Sequence, residues 1–166
     1  MVKSKNLEVY SKIFEEKKLF DWEMYIIVIL DKYNIDIIPE ILYINDNLIK
    51  YKLSDIFSLR EILNDKTINF HHLINELLCF FKIFKKNKIL HLHLNIDNIY
   101  VNKKTLRCYI IDLTNVHFTD KESNLNFQSL YISLLQNNIK KSTLTYMNDQ
   151  LNIFNILNYN RLLNNK

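Results

Sequence analysis

No glycine occurs anywhere in the 166 residues of the chain, and Pro39 is the only proline. Glycine reaches positive φ without steric cost and lets a backbone approach a ligand closely. Loops that cradle phosphates use both properties. A P-loop, a Rossmann fingerprint and a nucleophile elbow of the usual glycine-bearing kind are therefore excluded. Turns have to be built from Asn and Asp, the residues that next best tolerate the left-handed region.

The length fits one domain, residues 1–166, large enough to bury a real core. With 48% hydrophobic and 24% charged residues, the composition excludes a disordered tail, a coiled coil and a collagen-like rod. The net charge is +4, and the lysine pairs Lys17-Lys18, Lys85-Lys86 and Lys140-Lys141 are scattered. That pattern reads as a solvated surface and argues against a nucleic-acid groove. Cys79 and Cys108 form no CxxC pair and read as reduced thiols of an intracellular protein. No hydrophobic stretch follows Met1–Lys5, so no signal peptide is expected. The longest apolar run, Met24–Leu30, is too short to span a bilayer, so no membrane association is expected.

Along the chain, Leu7–Phe14 reads as a strand. Asp21 is the expected N-cap of a helix over Trp22–Tyr33, with Trp22, Tyr25, Ile26 and Ile29 at helical spacing as its apolar face. Ile41–Ile44 and Leu48–Leu53 read as a hairpin turning at Asn45-Asp46-Asn47. A short helix fits Ser58–Leu63. The clearest helix is Asn69–Lys86, where Leu73, Ile74, Leu77, Leu78, Phe81 and Phe84 recur at three and four. Short β runs follow at Leu90–Leu94, Asn98–Val101 and Leu106–Ile111, with a turn at Asn102-Lys103-Lys104. Helical patterns at Asn124–Gln136 and Gln150–Leu163 close the chain. The expected class is α+β.

The chemistry-bearing stretch is His91-Leu92-His93-Leu94-Asn95-Ile96-Asp97-Asn98, followed by Tyr109-Ile110-Ile111-Asp112-Leu113-Thr114. It resembles the catalytic loop and metal-binding motif of the protein-kinase fold, which reads HxDxxxxN, enters a hairpin and ends at a DFG-type Asp. The resemblance implies that Asn98 and Asp112 hold magnesium on nucleotide phosphates. The position of the catalytic Asp falls on His93, whose imidazole lacks a carboxylate's charge beside an incoming hydroxyl. Asp97 is one residue before Asn98 and out of register to replace it.

Upstream, Phe20-Asp21-Trp22-Glu23-Met24-Tyr25-Ile26 is similar to the PWEFYI-like segment of the mitotic-checkpoint Bub kinases. That likeness makes Glu23 the helix glutamate and Lys12 its strand lysine, with Lys17 as the alternative. Asn47–Leu59 resembles the family's hinge region, and Asp112-Leu113 its DLG variant. Asn126-Phe127-Gln128-Ser129-Leu130-Tyr131 resembles its D-Y-F-G helix.

The implied architecture is a reduced kinase-like fold. A remnant N-lobe over 7–53 would pack on a shortened C-lobe over 54–166, with no glycine-rich loop and little room for an activation segment. The implied function is that of a pseudokinase binding protein partners, with checkpoint signalling at kinetochores and a nuclear location if the Bub likeness holds. A minimal active serine/threonine kinase using Mg-ATP is the alternative. A zinc site at His91-x-His93 with Cys79 or Cys108 competes with both, but has only one short ligand pair.

Overall fold

The computed structural model describes residues 9–119, 130 and 132–134. Of the two C-terminal helices expected at Asn124–Gln136 and Gln150–Leu163, and of the Asn126–Tyr131 tract, only positions 130 and 132–134 are described, and those are helical. The rest of those segments lie outside the described residues.

Strands β1 (Val9–Ile13), β2 (Ile41–Asn45) and β3 (Leu48–Lys52) form an antiparallel sheet in the order β1-β3-β2. Alternation places Tyr10 and Lys12 on one face of β1, opposite Tyr51 and Ile49 of β3. Helix α1 (Lys17–Lys32) joins β1 to β2. It starts one turn before the expected Trp22, and its N-cap is Glu16 in place of Asp21. The extra turn buries Phe20, which meets Phe14 edge-on at 5.5 Å between ring centroids. Asp21 instead lies on the exposed side, bonded to Lys17 at 3.0 Å.

The inner face of α1 is also rotated from the expected one. Phe20, Glu23, Ile26, Ile27 and Leu30 are buried, whereas Tyr25 is 54% exposed. A carboxylate thus occupies a core position in an otherwise apolar stripe, which requires compensating donors around it.

Helix α1 ends in a Schellman motif. Asn34 has φ 51°, its N–H bonds to the Asp31 carbonyl, and Ile35 bonds to Leu30. Positive φ recurs at Asp55, Lys88 and Leu106. Among the described residues, Asn and Asp therefore fill only two of the four left-handed positions, and Lys88 and Leu106 depart from expectation. Lys88 follows the C-cap Asn87 of helix α3 (Phe70–Lys86), where most proteins place glycine. Leu106 closes a turn onto the Asn102 carbonyl at 2.7 Å, and burial of its side chain offsets the backbone cost.

Helix α2 (Leu59–Leu63) follows strand β4 (Ile56–Ser58) and starts at a capping box between Ser58 and Glu61. Asn69 caps α3, accepting from His72 N–H. All six apolar α3 residues expected in the core are buried, together with Phe80. Burying that face contributes on the order of 10 kcal/mol before the entropy of ordering it is subtracted.

Strands β5 (Ile89–His91), β6 (Ile99–Asn102), β7 (Cys108–Ile110) and β8 (Val116–Phe118) follow α3. They form the sheets β4-β6-β7 and β5-β8. The run expected over Leu90–Leu94 stops at His91, where the chain turns, and the run over Leu106–Ile111 shortens to Cys108–Ile110. Strands β4 and β8 have no counterpart in the sequence reading. Three residues are too few to show a period of two. Their pairing sets the site: β5 opposes β8 with His91 against Val116, and Asp112 lies between β7 and β8.

Candidate functional site

Lys12, Glu23 and Asp112 come together from β1, α1 and the β7–β8 connection. Lys12 Nζ donates to Glu23 Oε2 at 2.6 Å and to Asp112 Oδ1 at 2.9 Å. Lys17, the alternative lysine, is on the exposed surface beside Asp21 and takes no part. Glu23 is fully buried, and its other oxygen, Oε1, accepts from the Tyr51 hydroxyl at 2.9 Å. The backbone N–H of Leu113 donates to Glu23 Oε2 at 3.2 Å, joining α1 directly to the segment that carries Asp112.

Burial pushes the Glu23 carboxyl above its ordinary range, against the opposing pull of Lys12, Tyr51 and Leu113. Asp112 goes the other way. Burial would raise it, but hydrogen bonds from Thr114 and the Lys12 charge hold it below the usual carboxylate range. Asp112 Oδ1 accepts from Lys12 Nζ, Thr114 N–H and Thr114 Oγ1, the last at 2.6 Å. Its Oδ2 has no hydrogen-bond partner among the described residues, and the side chain is 35% exposed.

His91 fixes the backbone beneath this cluster. Its Nδ1 accepts from the His93 N–H, which leaves Nε2 as the donor to the Asp112 carbonyl at 2.7 Å. Burial depresses its pKa, so the ring is held neutral. Both ring nitrogens are engaged with backbone, and neither is free for the zinc arrangement considered from sequence. Cys79 is exposed on α3 and Cys108 is buried on β7.

Asn98 secures the loop from inside. Its Oδ1 accepts from Asn95 N–H at 2.9 Å, and its Nδ2 donates to the His93 carbonyl at 2.7 Å. His93 itself is exposed, and the loop bonds it makes use its backbone. Asp97 faces away into a two-bond pair with Arg60, at 2.6 and 2.9 Å. The geometry thus unites Lys12, Glu23 and Asp112. Asn98 meets the backbone of His93, and no bond joins it directly to that trio among the described residues.

Sequence reasoning missed Tyr51, Thr114 and the Leu113 amide as members of the cluster. A carboxylate at a core position of α1 was the available signal, because it calls for buried donors nearby.

No family model matches the sequence, and no curated protein does. Among solved structures, 134 chains match. One is WbdD, solved with the kinase inhibitor LY294002: its TM-score is 0.54 at 16% identity, over 75% of this chain and 30% of that one. Another is WaaP in complex with acyl carrier protein, with a TM-score of 0.59 at 14% identity, over 92% of this chain and 73% of that one. The fold is a reduced protein-kinase-like α+β fold. Likeness at these identities concerns the fold, and the chain spans under a third of the WbdD chain. Among the described residues, no helix is long and apolar enough to cross a membrane.

Proposed function

We propose that the chain is a catalytically impaired kinase-like domain, a pseudokinase, which holds a magnesium nucleotide at the Lys12–Glu23–Asp112 cluster and acts through protein partners. The observation that carries this reading is the asymmetry of Asp112. Three donors converge on Oδ1, while Oδ2, at a partly exposed position, has no hydrogen-bond partner among the described residues. Magnesium binds through one or two protein oxygens plus phosphates and water, so an open carboxylate oxygen fits it. Asn98 Oδ1 keeps a second lone pair and is the other candidate ligand. Bound there, the ion would neutralise phosphate charge. Lys12 supplies a cation on the same side, and Glu23 fixes the position of that cation.

Impairment follows from the base position. His93 stands where a kinase has its Asp, and Asp97 is committed to Arg60. A well-placed base contributes roughly 10²–10⁴ in rate. Residues 1–166 also contain no glycine that could give the phosphates a close backbone cover of the usual kind. A minimal active serine/threonine kinase is the second reading, favoured by the assembled Lys12–Glu23 pair.

The partner role draws support from WaaP, a protein of similar fold solved with acyl carrier protein. A Bub-type partner at the checkpoint or kinetochore, and a nuclear location, rest on the Phe20–Ile26 and Asp112-Leu113 sequence likeness alone. Incubation with radiolabelled Mg-ATP and a general protein substrate tests the main reading. No phosphate transfer above buffer is expected, and transfer that His93→Ala removes would establish the active-kinase reading instead.

A further inference from the structure

We infer that Tyr51 is a positioning residue that assembles the Lys12–Glu23–Asp112 chain before any ligand arrives. Glu23 has two oxygens and three donors to satisfy. Tyr51 takes Oε1 for itself, which leaves Oε2 to receive Lys12 at 2.6 Å and Leu113 N–H at 3.2 Å. Lys12 and the Leu113 amide hold one oxygen only, which by itself leaves the carboxylate free to turn about that point. Here a second anchor comes from β3, in the same sheet as β1, and it is a neutral hydroxyl that is 0% exposed.

The sequence around Tyr51 makes this anchor specific. Tyr51 sits across from Tyr10 in the β1–β3 register, and their rings stack at 6.3 Å between centroids. Ring packing fixes the direction of the hydroxyl, so little side-chain freedom is lost when it bonds. The groups facing Glu23 are Lys12 and Tyr10 from β1, Tyr51 from β3, and Leu113 N–H with Asp112 from the β7–β8 connection. Only Tyr51 among these donors bonds Oε1. Removing its hydroxyl leaves a buried carboxylate oxygen without a partner among the described residues, which weakens the hold of Glu23 on the Leu113 segment.

The inference deepens the proposed nucleotide reading and rests on it for its functional meaning, yet its test needs no nucleotide. Tyr51→Phe keeps the ring and its stacking. Amide hydrogen exchange of the unliganded protein is then compared at Leu113 and at Leu77, a buried α3 residue that reports global opening. Tyr51→Phe is expected to speed exchange at Leu113 at least ~10-fold more than at Leu77. Equal acceleration at both sites would mean a merely structural tyrosine and would overturn the inference.

If the variant does not fold, the wild-type protein supplies the answer by proton NMR. A slowly exchanging Tyr51 hydroxyl proton with a cross-peak to the Glu23 side chain supports positioning, and a freely exchanging hydroxyl contradicts it. A Mg-ATP titration of the wild-type protein separates the two claims. Loss of Leu113 protection in a protein whose wild type binds no nucleotide would uphold the anchor while removing the nucleotide reading.

Discussion

Lys12 and Asp112 are one hundred residues apart in sequence and 2.9 Å apart in space. They come from separate parts of the fold: β1 presents the cation, and the β7–β8 connection presents the anion. Glu23 completes the chain from α1. Folding must therefore bring distant segments together before the buried carboxylate is compensated, so loss of any one member is felt by the others.

Lys12→Met tests that dependence. The variant leaves Glu23 fully buried with Tyr51 and Leu113 as donors but without a counter-charge. Removing one partner of a buried ion pair costs about 3 kcal/mol. Urea denaturation is expected to show an unfolding free energy lowered by about that much, with a lower midpoint, and an unchanged midpoint would contradict the cluster's role in the fold.

The two carboxylates impose opposite pH dependences. Glu23 is raised in the folded state, so its ionised form opposes folding at neutral pH and the penalty is relieved as pH falls through its raised value. Asp112 is lowered, so its contribution is present above the unfolded value, about 4, and is lost as pH drops through its folded value. Chemical denaturation across pH should show Glu23→Gln flattening the stability change between neutrality and mild acid. Asp112→Asn should reduce the acid-side loss. Parallel curves for wild type and both variants would refute the assignment.

His93→Ala is expected to leave stability within about 0.5 kcal/mol, because His93 is exposed and its loop bonds use backbone atoms. It should equally leave Mg-ATP binding in place. A large loss of either would show that the His93 side chain has a role beyond the base position.

Lys88→Gly should stabilise the protein by about 1 kcal/mol. Lys88 sits at φ 56° directly after the C-cap of α3, where a Cβ is penalised and glycine is not. Thermal denaturation checks this, and a lowered melting temperature would mean that contacts of the lysine side chain outweigh the backbone cost.

Much of this was legible in the residues. The α3 core was readable because seventeen helical residues give a period time to show. The His91–Asp112 tract was readable because a motif fixes spacing, and Lys12, Glu23 and Asp112 did converge. What escaped had local reasons. Strands β4 and β8 are three residues each, and only their partners β6 and β5 define them. The face of α1 was misjudged because Tyr25 looks apolar and Glu23 does not. The other two donors that bury Glu23 come from residues 51 and 113, which no local pattern connects to it. Left-handed Lys88 and Leu106 could not be anticipated from propensity, since helix termination and core burial overrode it.

The most direct measurement is the melting temperature of the protein with and without millimolar Mg-ATP, repeated with EDTA and in Asp112→Asn. The account predicts a rise of about 3 °C in the wild type that vanishes with EDTA and in the variant. No rise in the wild type, or an equal rise in Asp112→Asn, would contradict a nucleotide site built on Asp112.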